Sequence, residues 1–413
     1  MRKILVISMF IGFCIFANAD WESIGPFGGQ LRTMAIAPSN ENIIYVATNT
    51  GPSIIFKSLD NGVSWGEIGS IPYYVYSMAV DPIDPDVIYA GSYLSVYKST
   101  NGGVNWTSHS LSDGYIVDLA VHPTSPSTVF AAGNITVGAT TTIGFFKSTD
   151  GGANWNSDTL DTLKGSGNCL KLDPTNPSII YVCGSIVDSN LTKPRIYRSI
   201  NGGTSFSNIA SNIPTGNNIS SIDIFPASSN MILVGSFYGD GIYRTTNTGG
   251  SWSLVWSGTG LSTISCAPTT SNIAYAGKDT VIYKSTNSGV TWFQSGSGYG
   301  GLYKLTRKII ASPNSSTVVY TTDALGFHKT TNAGASWFES NYGINIALIT
   351  ALSLAPTMPT TIYAENDGVG VHKTTDSGTT WTLLPSFLSC GDICEFAVHN
   401  SNPNIVLALE GIG

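Results

Sequence analysis

Charge is scarce in this sequence. Charged side chains make up 11% of its 413 residues, and 19 Lys and Arg are outnumbered by 26 Asp and Glu, for a formal charge of −7. Without a basic surface, a nucleic-acid partner is not expected. Histidine occurs five times and cysteine six, and no cluster of them has metal-ligand spacing. Neither a metal nor another cofactor is therefore expected. Helical periodicity is absent, and no internal segment approaches the roughly 20 apolar residues that a membrane span needs. What is present is a 42% apolar content, 45 glycines and abundant Ser, Thr and Asn. That balance argues against disorder and suits an exported β protein whose solubility rests on uncharged polar groups.

The chain opens with Arg2 and Lys3, continues with an apolar run over residues 4–16, and reaches Ala17-Asn18-Ala19. This is the form of a secretory signal peptide, so residues 1–19 are expected to be removed before Asp20. Bulky Phe13 ahead of Cys14 argues against a lipoprotein anchor. The mature chain is expected to be secreted or held at the cell surface, with no membrane insertion after cleavage. Among its cysteines, Cys266 stands where other copies of its segment mostly carry Val, Leu or Ile, and reads as a small buried hydrophobe. Cys390 and Cys394 flank an apparent loop and suit a local disulfide in an oxidising compartment. Cys169 and Cys183 face each other if their strands pair as a hairpin.

Repetition organises the rest. A box of the form Ser/Thr-x-Asp/Asn-x-Gly-x-x-Trp occurs eight times, its copies 40 to 51 residues apart. Its acid or amide and its aromatic are Asp60 and Trp65, Asn101 and Trp106, Asp150 and Trp155, Asn201 and Phe206, Asn247 and Trp252, Asn287 and Trp292, Asn332 and Trp337, and Asp376 and Trp381. A strand-like segment ending in proline, such as Met34-Ala35-Ile36-Ala37-Pro38, keeps the same beat and recurs a ninth time from Phe396 without its proline. A run such as Val87-Ile88-Tyr89-Ala90 follows each, a third enters the box, and a fourth leaves from its Trp. Short, β-branched and aromatic, these read as antiparallel strands A, B, C and D.

Four antiparallel strands per unit of about 45 residues predict an all-β β-propeller of four-stranded antiparallel blades, with eight recognisable repeats plus an incomplete ninth. In the box, Ser or Thr and Asp or Asn accept hydrogen bonds from the turn's own amides, Gly supplies a positive φ, and Trp inserts between sheets. Lys or Arg precedes each box, at Lys57, Lys98, Lys147, Arg198, Arg244, Lys284, Lys329 and Lys373. Eightfold repetition makes that a structural contact. Asn in five of the eight boxes suits turn capping and would weaken a calcium site.

The pattern Ser-x-Asp-x-Gly-x-x-Trp resembles the Asp-box, or BNR repeat, of β-propeller proteins. Its alternation with a proline-ended strand is similar to sortilin-type, xyloglucanase-type and photosystem II assembly-factor propellers. The resemblance covers nearly all of residues 20–413 and implies a fold more than a task. Trp21-Glu22-Ser23-Ile24 resembles a D strand without a box. Glu410-Gly411-Ile412-Gly413 repeats Asp367-Gly368-Val369-Gly370, so the chain reads as truncated at the threshold of a ninth C strand.

In such a blade the A–B turns and the boxes share one rim, and the B–C and D–A connections share the other, which becomes the candidate site. The B–C connections of repeats three and four, 133–144 and 184–195, are the longest. Nine of 19 tyrosines fall in these connections or at their edges: Tyr73, Tyr74, Tyr76, Tyr93, Tyr115, Tyr238, Tyr299, Tyr303 and Tyr342. Exposed aromatics bind sugars or peptides by stacking; the alternative is that several fold down to cap the core. Tyr73, Tyr74, Tyr76, Tyr93, Tyr115, Asp188, Arg195 and Tyr238 are the candidate ligand-binding residues, for an extracellular glycan or protein. No catalytic residue is assigned. The xyloglucanase resemblance implies an acid in a Thr-Asp-x-Gly-Gly segment, and Thr48-Asn49-Thr50-Gly51-Pro52 carries an amide there, which serves as neither acid nor base. Sialidases require an arginine triad, and no matching arginine-bearing start motif is found. Asp113, Asp118, Asp158, Asp161 and Asp188 are further acids on this rim. The expectation is a secreted, non-catalytic binding module, with a glycoside hydrolase of the xyloglucanase type as the alternative.

Overall fold

Each repeat folds into a small sheet because its apolar runs are too short and too β-branched for anything but strands. The computed structural model describes residues 27–299, 305–345, 347, 349–366, 370–384, 393–399 and 402–410, and among these there are strands and no helix. Blade 1 runs in order through Leu31–Ile36 (A), Ile44–Thr48 (B), Ser53–Ser58 (C) and Gly66–Ile71 (D), with Met34 opposite Val46 and Val46 opposite Phe56. The same order recurs along the chain. One long strand, Thr107–Val121, serves as D of blade 2 and A of blade 3, fusing those two sheets. The signal-peptide reading, the D-strand reading of 21–24, Tyr303 and Cys390 lie outside the described residues.

No blade can bury both of its faces alone, so the core lies between blades. Tyr45, Ala47 and Ile55 of blade 1 pack on Met78, Val80, Ile88 and Ala90 of blade 2. The B-strand tyrosines Tyr45, Tyr89, Tyr181, Tyr275 and Tyr320 are among the largest fully buried side chains. Burying such a ring contributes roughly 1.5–3 kcal/mol.

The boxes clasp themselves as the residue types imply. In box 3, Ser148 Oγ donates to Asp150 Oδ1 (2.8 Å) and accepts from Gly152 N (2.8 Å), while Asn154 N donates to Asp150 Oδ1 (2.8 Å). Box 4 repeats all three bonds with Asn201 in place of the acid, at 2.9, 2.9 and 3.0 Å. The fourth box residue is left-handed whatever its type, as at Asn61 (φ 63°), Gly151 (72°), Thr248 (59°) and Ala333 (56°). That conformation turns its carbonyl towards the preceding blade. Lys98, Lys147, Arg244 and Lys284 reach across to Gly151, Gly202, Ser288 and Ala333 respectively, which makes the cation before the box a blade-to-blade strut. The box aromatic inserts between sheets: Phe206 meets Phe145 edge-on at 4.9 Å, and the Trp252 indole donates to Ile209 O.

These struts also identify the ring. Lys329 of the seventh repeat reaches Asn61 O of blade 1 at 2.9 Å, and Tyr320 OH donates to Asn61 Oδ1. Trp337 N donates to Ser297 O between blades 6 and 7, and Trp65 N donates to Tyr342 O between blades 7 and 1 in the same manner. Trp65 packs edge-on against Phe327 at 4.8 Å, and Gly28 bridges to Asn345. Seven blades therefore close the ring. The eighth repeat stands outside it and packs on the ninth by the usual contact, with Tyr363 OH on Pro403 O as Tyr45 OH is on Pro85 O. Eight repeats and part of a ninth are legible in the sequence, but the ring takes seven. Local pattern is the same in every repeat, whereas closure depends on the angle between blades.

Asn61 N donates to Asn42 O and Gly151 N to Ser127 O, placing the A–B turns and boxes on one rim. On the other rim, the two long B–C connections are not open loops. Val129–Val137 pairs with Thr140–Ser148, and Ile180–Asp188 with Leu191–Ser199, so each is a strand-extended hairpin. Ser189 and Asn190, with φ of 51° and 65°, form the tight turn of the second.

Candidate functional site

The rim opposite the boxes gathers the tyrosines of the first three blades. Tyr76 meets Tyr115 edge-on with ring centroids 5.3 Å apart, Tyr115 meets Tyr93 at 5.0 Å, and Tyr93 meets Tyr73 at 6.4 Å. Tyr73, Tyr74, Tyr93 and Tyr115 are each 41–51% exposed. Register explains part of the grouping: Tyr93 and Tyr115 are paired across strands C and D of blade 2. Arg32 lies over Tyr76 at 4.3 Å and over Tyr74 at 5.8 Å. Tyr74 packs close over Gly51, where a β-carbon would lie 3.1 Å from the ring and oblige it to shift by a few tenths of an ångström. Five of the eight candidate residues thus form one patch. Tyr299, by contrast, folds down: it is buried against Trp337 and His328 and bonds to Thr306. Tyr342 leans on Phe27.

The patch leads into the central channel, a cavity of about 650 Å³ walled by the seven A strands. Six residues before each A-strand proline, the seven blades present Arg32, Tyr76, Val117, Asn168, Ser220, Ser262 and Arg307 at the mouth. Three of these are occupied by the neighbouring blade. Asn168 Nδ2 donates to Ile219 O, Ser220 Oγ to Leu261 O and Ser262 Oγ to Thr306 O. Arg32 donates to Asn49 Oδ1 at 2.7 Å. Burial lowers its pKa, Tyr76 opposes that, and the charge of Arg307 adds to the lowering. Deeper in the channel, Lys171 is paired with Asp223 at 2.6 Å, and Asp118 Oδ2 accepts from Leu170 N. This mouth was not singled out from the sequence. Aligning the repeats on their prolines would have found it.

Asp188, Arg195 and Tyr238 lie elsewhere on the same rim, on blades 4 and 5. Asp188 is at the hairpin tip in an ion pair with Lys193 (2.5 Å). Arg195 Nε donates to Asp161 Oδ2 at 2.8 Å, and Tyr197 OH donates to the same oxygen. Its charge is thereby engaged with the connection that enters blade 4. Tyr238, 66% exposed, borders a second cavity of about 380 Å³ with Lys164, Val187 and Thr192.

The rim acids differ from a hydrolytic pair. Burial works to raise the pKa of Asp161, but hydrogen bonds from Tyr197 and Arg195 outweigh it and hold the carboxyl below its usual value. Bonds from Lys193 and Ser189 lower Asp188, and bonds from Tyr243 and Asn217 lower Asp240. A general acid needs the opposite shift. Asn49 is fixed between Arg32 and Gln30. Asp158 is exposed on the D strand of blade 3, and the side chain of Asp113 lies outside the described residues. Among the described residues no three His, Cys, Asp or Glu gather as a metal site. Cys169 and Cys183 are register partners, free and buried, and Cys266 is buried like its apolar counterparts.

The sequence matches no protein-family model and no curated protein. Solved structures share its architecture. A GH74 xyloglucanase from Xanthomonas campestris superposes with a TM-score of 0.62 at 14% identity, over 92% of this chain and 71% of its own. An ancestral GH74 enzyme gives 0.71 at 17% identity, over 95% of this chain and 60% of its own, so this chain spans three-fifths of that enzyme. YCF48 from Cyanidioschyzon merolae gives 0.54 at 15% identity, over 75% of this chain and 97% of its own. At such identities the likeness concerns the fold. The chain is a β-propeller, an architecture that these solved structures present both in enzymes and in YCF48.

Proposed function

We propose that this protein is a secreted, non-catalytic propeller that holds an extracellular glycan or protein on the rim opposite its boxes. The observation that carries the reading is the continuous track Tyr76, Tyr115, Tyr93 and Tyr73, drawn from separate connections into one exposed surface. Exposed aromatic rings bind sugar rings or apolar side chains by stacking, with the phenol hydroxyl as a polar tip. Export rests on the leader-like residues 1–19, and the resemblance of the boxes to BNR and sortilin-type repeats agrees with an extracellular binding role. The downward shifts of Asp161, Asp188 and Asp240 favour binding over hydrolysis.

Changing Tyr73, Tyr93 and Tyr115 together to Ala is expected to abolish capture on a glycan or protein array while leaving the thermal unfolding midpoint within a few degrees of wild type. Unaltered capture would discard the rim reading. The fold likeness to GH74 enzymes favours a second reading, a glycoside hydrolase of the xyloglucanase type. Reducing sugar released from xyloglucan, and lost on substitution of a single rim carboxylate, would establish that reading in place of the first.

A further inference from the structure

Arg32 and Arg307 occupy the same position on the inner strands of blades 1 and 7, so ring closure sets two guanidinium groups side by side at the channel mouth. Among the described residues neither is paired with a carboxylate, although the chain as a whole is acidic. Three other cations of the channel and this rim do have carboxylate partners: Lys171 has Asp223, Arg195 has Asp161, and Lys193 has Asp188. Like charges brought together without a counter-ion repel, and the pair gains from an anion that bridges them. Arg307 is exposed and Arg32 half-buried, so both are open to a ligand from the rim side. Asp118 and Lys308 stand one residue deeper on their strands and also line the channel.

We propose that the arginine pair takes the carboxylate of an acidic glycan, a chain of uronic-acid residues whose neighbouring sugars lie on the tyrosine track. This inference rests on the rim reading and specifies its ligand. Guanidinium forks match carboxylates with two parallel hydrogen bonds. Arg32 already lies over Tyr76, and the aromatic contacts continue outward through Tyr115 and Tyr93 to Tyr73. A single track therefore begins at a positive end and continues over uncharged aromatic rings. An acidic peptide would also satisfy the charge, but successive rings suit a polymer of flat, repeating units better than side chains of varied shape. The channel beyond the mouth, at about 650 Å³, has room for the terminal sugar.

The test compares polygalacturonate with its fully methyl-esterified form, the same polymer without charge, using the full chain and titration calorimetry. Wild type is expected to bind the charged form at least tenfold more tightly, the lower end for one charge-assisted contact. R307Q, which removes an exposed side chain outside the core, is expected to erase that difference, and R307K to restore part of it. Raising salt from about 50 to 500 mM should shrink the difference in wild type alone. Equal affinity for both polymers with loss of both in Y93A overturns this inference and leaves the rim reading standing. Binding of polyglutamate but neither polymer overturns it in favour of a peptide ligand. An R307Q variant that keeps the full preference also overturns it, and R32Q should then be equally silent.

Discussion

Asp150 accepts three hydrogen bonds inside its own turn, from Ser148 Oγ, Asn154 N and Asn154 Nδ2. The Asn154 amide is the largest influence in holding its pKa at about 2, and the Thr380 hydroxyl and amide do the same for Asp376. A carboxyl whose folded pKa lies below its unfolded value of about 3.9 contributes stability above that value and loses it as pH falls towards 2. Box-linked acid sensitivity is therefore expected between about pH 4 and 2, and from the boxes with Asp rather than Asn. D150N should match wild type at pH 7, since Asn201 makes the same bonds in box 4, and should lose less stability than wild type at pH 2.5. Equal acid losses in urea titrations at both pH values would refute this. The clasping role of these residues was legible in the sequence because each box is local. Arg307 was not, because its neighbour Arg32 is 275 positions away.

The blade 4 hairpin shows where sequence reading stops at the level of elements. Residues 184–195 read as a long connection, yet Gly184 pairs with Arg195 and Asp188 with Leu191 in an unbroken ladder. The alternation that marks a strand is hidden there by Pro194, Lys193 and Ser185, and the pairing of the two arms shows only in the ladder. Arg195 and Asp161, 19% and 11% exposed, tie the hairpin to the connection entering blade 4. R195A strands a largely buried carboxylate and leaves Tyr197 as its sole side-chain donor. A loss of about 2 kcal/mol is expected by urea denaturation, with array binding through the tyrosine track unchanged. A stable R195A that fails to bind would return Arg195 to the site.

Ring closure is a property of the whole molecule. Blade 7 grips blade 1 through Lys329, Tyr320, Trp65 and the bridge from Gly28 to Asn345, the same kinds of contact that join consecutive blades. A fragment of residues 27–345 is accordingly expected to fold as a cooperative unit, with strand-type circular dichroism and a single thermal transition. If that fragment is unfolded, the eighth and ninth repeats are integral to the ring after all. W65A should open the seam, since it removes the indole between blades and its bond to Ser340 O (2.8 Å). A loss of about 3–5 kcal/mol is expected by urea denaturation.

The sequence by itself determined the strands, their order in each blade, the boxes and the rim they occupy, because each depends on residues within one repeat of about 45. Hydrophobic alternation, turn chemistry and a positive φ act over a few positions and leave a direct trace. Only the tertiary structure decided that seven blades close, that two long connections become hairpins, and that Arg307 meets Arg32 beside a track of tyrosines. Those outcomes depend on the angle and packing between sheets, which every repeat influences slightly and no single repeat records.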